Sequence, residues 1–575
     1  MKLLAGVLFC VISQLSFGQV FYDLDSLRYT DRIDGLIDSI DVVSGDLPSS
    51  FDGGLTTYSS GGVLANDLYK RITQPNFQGL HQFSKMTYSA LPHLGFAYSF
   101  GAQGTRFIHA NYYHAFSNSL LLAIDYKKSN GAGVIRKSDF SLNDFGLQLI
   151  YSGKRYSTVV KGSFNLNDVS HSGGVLSIDS TIQQLGIEFA DVQKGNARSK
   201  NKNAQIQWEN YVNFLPDSIK QLGLKSYHSY TIQNRVYTEY SDTLSQLYPV
   251  INIHSDSTRD QYNLASITNG MGVYFSSKVF SVDGVLDYRY WDFQNLGIHS
   301  DTSELGIRSN ARLLIGGLSV YNYLHFNLIG AANEFENKLT AHYKLREFDF
   351  VASYFLENKT QSPLQRSYFS NNTSYTNLLS KQTSTGVNVA LDIDLVVDKC
   401  KIGFFSGFTS VKTPFLYDGL TWRNDSIDFS FASLGMRGAV KLGALHINPK
   451  VIYSISKNGY LPEIQALGRF YLKGHLFKAK KLEAVIGVDA SYTSAYRLKA
   501  YVPYMDTYSW GGSQVESNPL TNLHAFLSLG IAEFRFFVRY ENIGYHWSDQ
   551  LSQEVLNYPI AGPRMRVGIT WDFFN

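Results

Sequence analysis

The chain has 575 residues, 44% of them hydrophobic and only 17% charged, with a formal net charge of +3. That balance supplies no strong field for a nucleic-acid partner, and no zinc knuckle, helix-turn-helix pattern or long basic run is present. Aromatic residues reach 14%, almost all from 39 Tyr and 38 Phe, beside 47 Gly and only 13 Pro, which favours many strands joined by polar turns over a helical protein.

The N-terminus reads as an export signal over residues 1–18. Lys2 supplies a positive charge, Leu3 to Leu15 is mostly apolar, and Ser16 and Gly18 place small residues where a signal peptidase cleaves, before Gln19. Cys10 lies inside this run, so the expected mature chain keeps one cysteine, Cys400, read as a small strand residue. Residues 19–91 form an acidic segment, with seven aspartates between Asp23 and Asp46. Ile33, Leu36, Ile37 and Ile40 are spaced for one helical face, which suits a periplasmic helix or a partial plug. The carboxylate spacing matches no calcium loop.

No run of 18 or more apolar residues follows, so spanning helices are not expected. From residue 92 onward the chain instead alternates apolar and polar residues, the period of a strand whose side chains point to opposite faces. His109 and His114 lie five positions apart, which in a regular strand puts them on opposite faces about 16 Å apart, so they are read as separate histidines and not as a metal pair. The stretches His171 to Asn203 and Asp242 to Asp260 are long for turns and read as external loops, solvated by default, with inward folding as the other reading. Tyr288, Tyr290 and Trp291 read as an interfacial aromatic girdle.

Further on, Val387, Val389, Leu391, Ile393 and Leu395 oppose Asn388, Ala390, Asp392 and Asp394. Leu482, Ala484, Ile486, Val488, Ala490 and Tyr492 oppose Glu483, Val485, Gly487, Asp489 and Ser491, and Phe534, Phe536, Val538 and Tyr540 oppose Arg535, Phe537, Arg539 and Glu541. Many segments reach the roughly 9–11 residues that a tilted membrane strand needs. Only a closed barrel satisfies every backbone group of a sheet in lipid. About twenty-two such segments occur over residues 92–575, within a range of 16–24, and bacterial barrels favour even numbers. The expected fold is therefore all-β, a large closed antiparallel transmembrane barrel behind a short N-terminal segment. Its last strand places Met565, Val567, Ile569, Trp571 and Phe573 on one face, the pattern that barrel-assembly machinery recognises, with Arg564, Arg566, Thr570 and Asp572 on the other.

Several short motifs carry a family likeness. They are Phe83-Ser84-Lys85-Met86-Thr87-Tyr88, Tyr156 after Gly-Lys-Arg, Asn165-Leu166-Asn167-Asp168, the Gly173-Gly174-Val175 turn, Tyr540-Glu541-Asn542-Ile543-Gly544, Tyr558-Pro559-Ile560, and Gly568-Ile569-Thr570-Trp571-Asp572-Phe573. In these the chain resembles the outer-membrane porin family of Bacteroidota. The closing Tyr-Glu-Asn and Gly-x-x-Trp-x-Phe elements also occur in TonB-dependent receptors, so they specify a barrel better than a function. The resemblance implies a large barrel of diffusion-pore activity and brings no catalytic residues.

No catalytic or cofactor motif is present, neither a zinc-hydrolase helix, a nucleophile elbow, a Walker loop nor a dinucleotide fingerprint. The chain is therefore read as a non-enzyme without cofactor or metal. If apolar faces meet lipid, Asp283, Asp287, Arg289, Asp392, Asp394, Arg535, Arg539, Arg564 and Arg566 are the pore-lining candidates. The expected activity is passive or weakly selective diffusion of small hydrophilic solutes across the outer membrane of a Gram-negative bacterium. The alternatives are a gated or energy-coupled substrate-specific transporter and a non-transport barrel for adhesion or secretion. Expected partners are outer-membrane lipid and the assembly machinery. A homo-oligomer stays open, because an apolar interface and a lipid-facing wall read alike.

Overall fold

A computed structural model describes residues 92–574 apart from 118, 179–181, 183–185, 216–219, 332, 397–398, 425–427, 457–458, 460, 510–514 and 548–551. The expected export signal, the acidic segment and Phe83–Tyr88 lie outside the described residues.

The alternating segments form one 22-stranded antiparallel sheet, each barrel strand bonded to the next in the chain. The first strand, His93–Gly101, pairs with the last, Arg564–Phe574, in a register that runs from His93↔Phe574 to Gly101↔Arg566. That seam closes the barrel and leaves no unpaired edge. Period two then gives each strand two environments. In Leu482–Thr493 Val485 is buried inside while Ile486 and Tyr492 are exposed outside. Met271, Leu286, Leu434 and Ile206 are likewise exposed in mid-strand, so the outer surface is an apolar band of the kind that meets lipid.

The two ends differ. At the end holding His93 and Phe574 the strands are joined by short turns such as 153–155, 278–279, 316–317 and 532–533. At the other end stand the long connections 172–196, 241–256, 360–381, 413–428, 494–519 and 542–563. This asymmetry sets the short turns on the periplasmic side and the long loops outside. One outer connection is only two residues. Leu296 (φ 33°) and Gly297 (φ 101°) both take the left-handed conformations that a primed hairpin turn requires.

Three readings shift by a few residues. Arg198, Lys200 and Lys202 belong to the strand Ala197–Asn213 and not to the preceding loop. Thr258 and Asp260 belong to Ser257–Ser277. Trp291 turns inward, because it lies an odd three residues from the outward Tyr288, so only Tyr288 and Tyr290 can serve the girdle.

Leu434 is 62% exposed in the middle of Phe429–Leu442. Leu434→Arg is therefore expected to cost about 2–4 kcal/mol, read as a lowered urea midpoint of the barrel in lipid vesicles.

Candidate functional site

The same alternation that faces lipid outside delivers charge inside, and the register sets opposite charges side by side. Lys225 lies 3.0 Å from Asp283 and 3.5 Å from Glu209. Arg308 and His325 approach Asp287 at 3.3 and 3.5 Å, and Arg289 approaches Glu304 at 3.5 Å. Arg437 donates to both oxygens of Asp392, at 3.0 and 2.7 Å, with Lys401 3.6 Å away. Gly403 makes room for this pair, since a Cβ there would stand 2.1 Å from Asp392 Oδ1. Asp394 shares the inner face and is in register with Lys401. Near the seam Glu541 is held by Arg564 at 2.8 Å and Arg566 at 3.0 Å, with Arg539 at 3.9 Å. Arg539 also reaches Asp489 at 2.8 Å, and Arg535 reaches Glu483 at 2.7 Å.

All nine charges singled out in the sequence thus stand on the inner wall, eight of them in ion pairs. Met565 and Trp571 are exposed on the outer wall, and Val567, Ile569 and Phe573 are half-buried there. His109 faces inward and bonds Asp125 at 2.9 Å, while His114 faces outward beside Phe116. Cys400 is half-buried at the start of its strand.

The long loops fold inward and pack on one another in two apolar clusters. One joins Val134 and Ile135, Val175 and Ile187, Leu416, Leu461, Tyr496 and Leu498, and Tyr545, Tyr558 and Ile560. The other joins Leu244 and Tyr248, Leu364, Tyr368 and Tyr375, Tyr417 and Trp422, and Tyr504 and Met505. Loops 413–428 and 494–519 also share a small four-stranded sheet, in the order Trp422–Asn424, Phe415–Tyr417, Thr507–Ser509, Ala500–Val502. The solvated-loop reading is therefore replaced by a lid.

Buried polar groups fasten this lid to one wall. On the strand Lys220–Tyr240, Arg235 is almost fully buried and donates to the backbone carbonyls of Pro503 and Tyr504. Those carbonyls belong to a loop rooted on the far side of the barrel. Four residues along, Glu239 accepts from Lys194 at 2.9 Å, from Tyr248 at 2.6 Å and from Tyr237 at 2.8 Å. Asn371 stitches loop 360–381 to loop 241–256. Its amide nitrogen donates to the carbonyls of His254 and Ser257, and its Oδ1 accepts from the backbone of Ile253 and His254. Such partners are what let these polar groups stay buried. Burial pushes the Tyr504 hydroxyl up to about 12, so it remains a donor at neutral pH. Burial also raises the Asp506 carboxyl, against the pull of Arg235 and of the Tyr501 hydroxyl 2.7 Å away.

Beneath the lid, against the inner wall, lies a cavity of about 580 Å³. Its charged lining is Arg289, Lys359 and Arg366 against Glu304, Glu334 and Glu336, with His325 beside them. Trp291, Tyr323, Phe335 and Phe415 supply aromatic surface, and nine neutral hydrogen-bonding side chains, Gln233, Asn358, Gln361 and Gln365 among them, complete the wall. Residues 360–366 of the lid form part of it, anchored by a capping box in which Ser362 N donates to Gln365 Oε1 at 2.9 Å. Of these residues only Arg289 was selected from the sequence as pore-lining, while Trp291 was read as part of the outer girdle. The signal that could have found the lid is compositional. A loop meant for water has little use for Tyr496, Tyr501, Tyr504 and Tyr508, or for Tyr368 and Tyr375 around Asn371-Asn372.

A family model described as "Putative porin" matches residues 82–575. The chain belongs to that family. No curated relative matches it. Among solved structures it is similar to the FrpB iron transporter from Neisseria meningitidis, at 8% identity and a TM-score of 0.57 over 84% of this chain and 81% of that one. It is also similar to the siderophore receptor PirA from Acinetobacter baumannii, at 9% and 0.58 over 85% and 81%. A third is the ferripyoverdine receptor of the outer membrane of Pseudomonas aeruginosa, at 11% and 0.56 over 85% and 72%. At these identities the likeness is one of fold. Together they place the chain in the outer membrane of a Gram-negative bacterium. The expectation of passive diffusion is corrected. The barrel has the architecture of an iron transporter and siderophore receptors, and its own external loops pack on one another over its mouth.

Glu541 balances several guanidinium groups in a half-dry wall. Glu541→Ala is expected to lower stability by about 3–5 kcal/mol, measured by urea unfolding. Asp506 binds its proton more tightly with the lid closed than when exposed. The extra stability of closure is therefore full below the exposed carboxyl value of about 3.9 and is lost as pH rises through the higher closed-state value. Hydrogen exchange of loop 494–519 is expected to speed up across that window, and Asp506→Asn to flatten the change.

Proposed function

We propose that the chain is a gated, energy-coupled and substrate-specific outer-membrane transporter whose gate is the bundle of external loops. The observation that carries this reading is the interlock of loops rooted on opposite sides of the barrel, fastened by Arg235 and Glu239 over an interior lined with paired charges. A static pore gains nothing from such a structure, whereas a gate needs a closed state that holds.

The energetics agree. Returning one large buried side chain to water costs roughly 1.5–3 kcal/mol. Tyr368, Tyr417, Trp422, Tyr508 and Leu416 are all nearly fully buried in the lid, so separating the loops costs on the order of 10 kcal/mol before any hydrogen bond is broken. Thermal opening is then rare, and a ligand shifts the balance only by its differential affinity for the two states. Work from the periplasmic side supplies the remainder. The inner-wall charges, Asp283, Asp287, Arg289, Asp392, Asp394, Arg535, Arg539, Arg564 and Arg566, would line the route once the lid has moved. The outer face of Met565, Val567, Ile569, Trp571 and Phe573 would be the handle for barrel assembly.

The test is planar-bilayer conductance of the refolded chain. The full protein should show no steady conductance, and replacing residues 494–519 by a short Gly-Ser linker should give large stable steps. Steady conductance by the unaltered protein would sink the gated reading.

A further inference from the structure

We infer that the cavity beneath the lid is a binding site for a neutral, hydroxyl-rich ligand of the oligosaccharide class. This rests on the transporter reading and names its substrate class.

The chemistry of the walls makes the choice. Three cationic and three anionic side chains line the cavity, so it carries no excess of either sign. A site for an anionic metal chelate or a polyphosphate needs such an excess, because an ionic ligand leaves its solvation behind and must be compensated. Here the charges answer one another or the protein. Arg289 lies 3.5 Å from Glu304, Lys359 is 3.0 Å from Glu357, and Glu334 accepts from Asn327 at 2.9 Å.

What remains is a dense set of neutral donors and acceptors beside aromatic rings. Trp291 and Glu304 stand side by side on neighbouring strands of the wall, with Glu304 Oε2 3.5 Å from Arg289 and beside the Trp291 indole. A sugar ring matches such a wall, with hydroxyls that donate to and accept from the neutral side chains and C–H faces that would lie on Trp291, Tyr323 and Phe335. An extended peptide would instead seek an open sheet edge, and every barrel strand behind this wall is paired on both sides. The volume of about 580 Å³ falls within the usual range for a small-ligand pocket. Part of the enclosure is lid segment 360–366, so a bound ligand bridges gate and wall.

The experiment is calorimetric and fluorescence titration of the purified full chain with maltotriose, cellotriose and triacetylchitotriose, with trialanine and ferric citrate as comparison ligands. At least one trisaccharide should bind saturably and quench tryptophan emission, and Trp291→Phe and Glu304→Gln should each weaken it roughly tenfold. A matching circular-dichroism melt of each variant excludes unfolding as the cause. Binding of trialanine or ferric citrate in place of every saccharide, or no binding by any saccharide, overturns the inference. The linker variant of loop 494–519, which does not line the cavity, separates the two readings. Saccharide binding without any gain of conductance on loop removal would remove the gate and keep the site. A gain of conductance without binding would do the reverse.

Discussion

Everything in this molecule depends on the rule that a backbone amide in hydrocarbon must find its partner within the protein. A sheet obeys it only by closing, and closure rests on one seam, where His93–Gly101 meets Arg564–Phe574. Once that seam holds, each strand has an inside and an outside, and the two fates of every side chain are fixed by its parity along the strand. The outer residues become a lipid-facing band. The inner residues must be satisfied in a confined space, and their spacing across strands settles whether they oppose or repel one another.

The inner wall solves that problem locally. Asp392 sits between Arg437 and Lys401, Glu541 among three arginines, and Asp287 between Arg308 and His325. Each carboxylate is crossed by cations from neighbouring strands, so the wall is stiff and gains specificity of register along with its charge. The lid solves a harder problem, because its partners come from loops far apart in the chain. It does so with groups that cannot be left half-satisfied. Asn371 uses its amide on both sides, and Arg235 is spent on two backbone carbonyls. A partly opened lid would strand such groups, which favours two discrete states over a gradual loosening.

Much of the barrel was legible in the sequence because its code is local. Val387 to Leu395 states its two faces in nine residues, and the parity that put Asp392 and Asp394 inside needed no structure to read. Trp291 went astray because it adjoins Tyr288 and Tyr290 in a single aromatic run, and adjacent strand residues point opposite ways. The lid and its cavity were not legible for a deeper reason. Whether Tyr504 meets water or Arg235 depends on a loop crossing the barrel, a contact between residues 269 positions apart that no periodicity encodes. The mistaken diffusion pore follows from that same blindness, since charges lining a wall look alike whether or not the mouth above them is closed.

The barrel rim is not level. Lys220–Tyr240 and Ser257–Ser277 run for 21 residues each, whereas Phe534–Glu541 has eight. The longer pair is about twice what a crossing requires, so one side of the cylinder rises well clear of the bilayer while the opposite side stops near its surface. Arg235 and Glu239, the two fasteners, sit near the top of the tall side, and the loop that Arg235 grips springs from the low side. The gate therefore works like a drawbridge caught on a tower. Its rooted end lies close to the lipid surface and its latch lies high above it, so a molecule arriving from outside reaches the latch before it reaches the hinge.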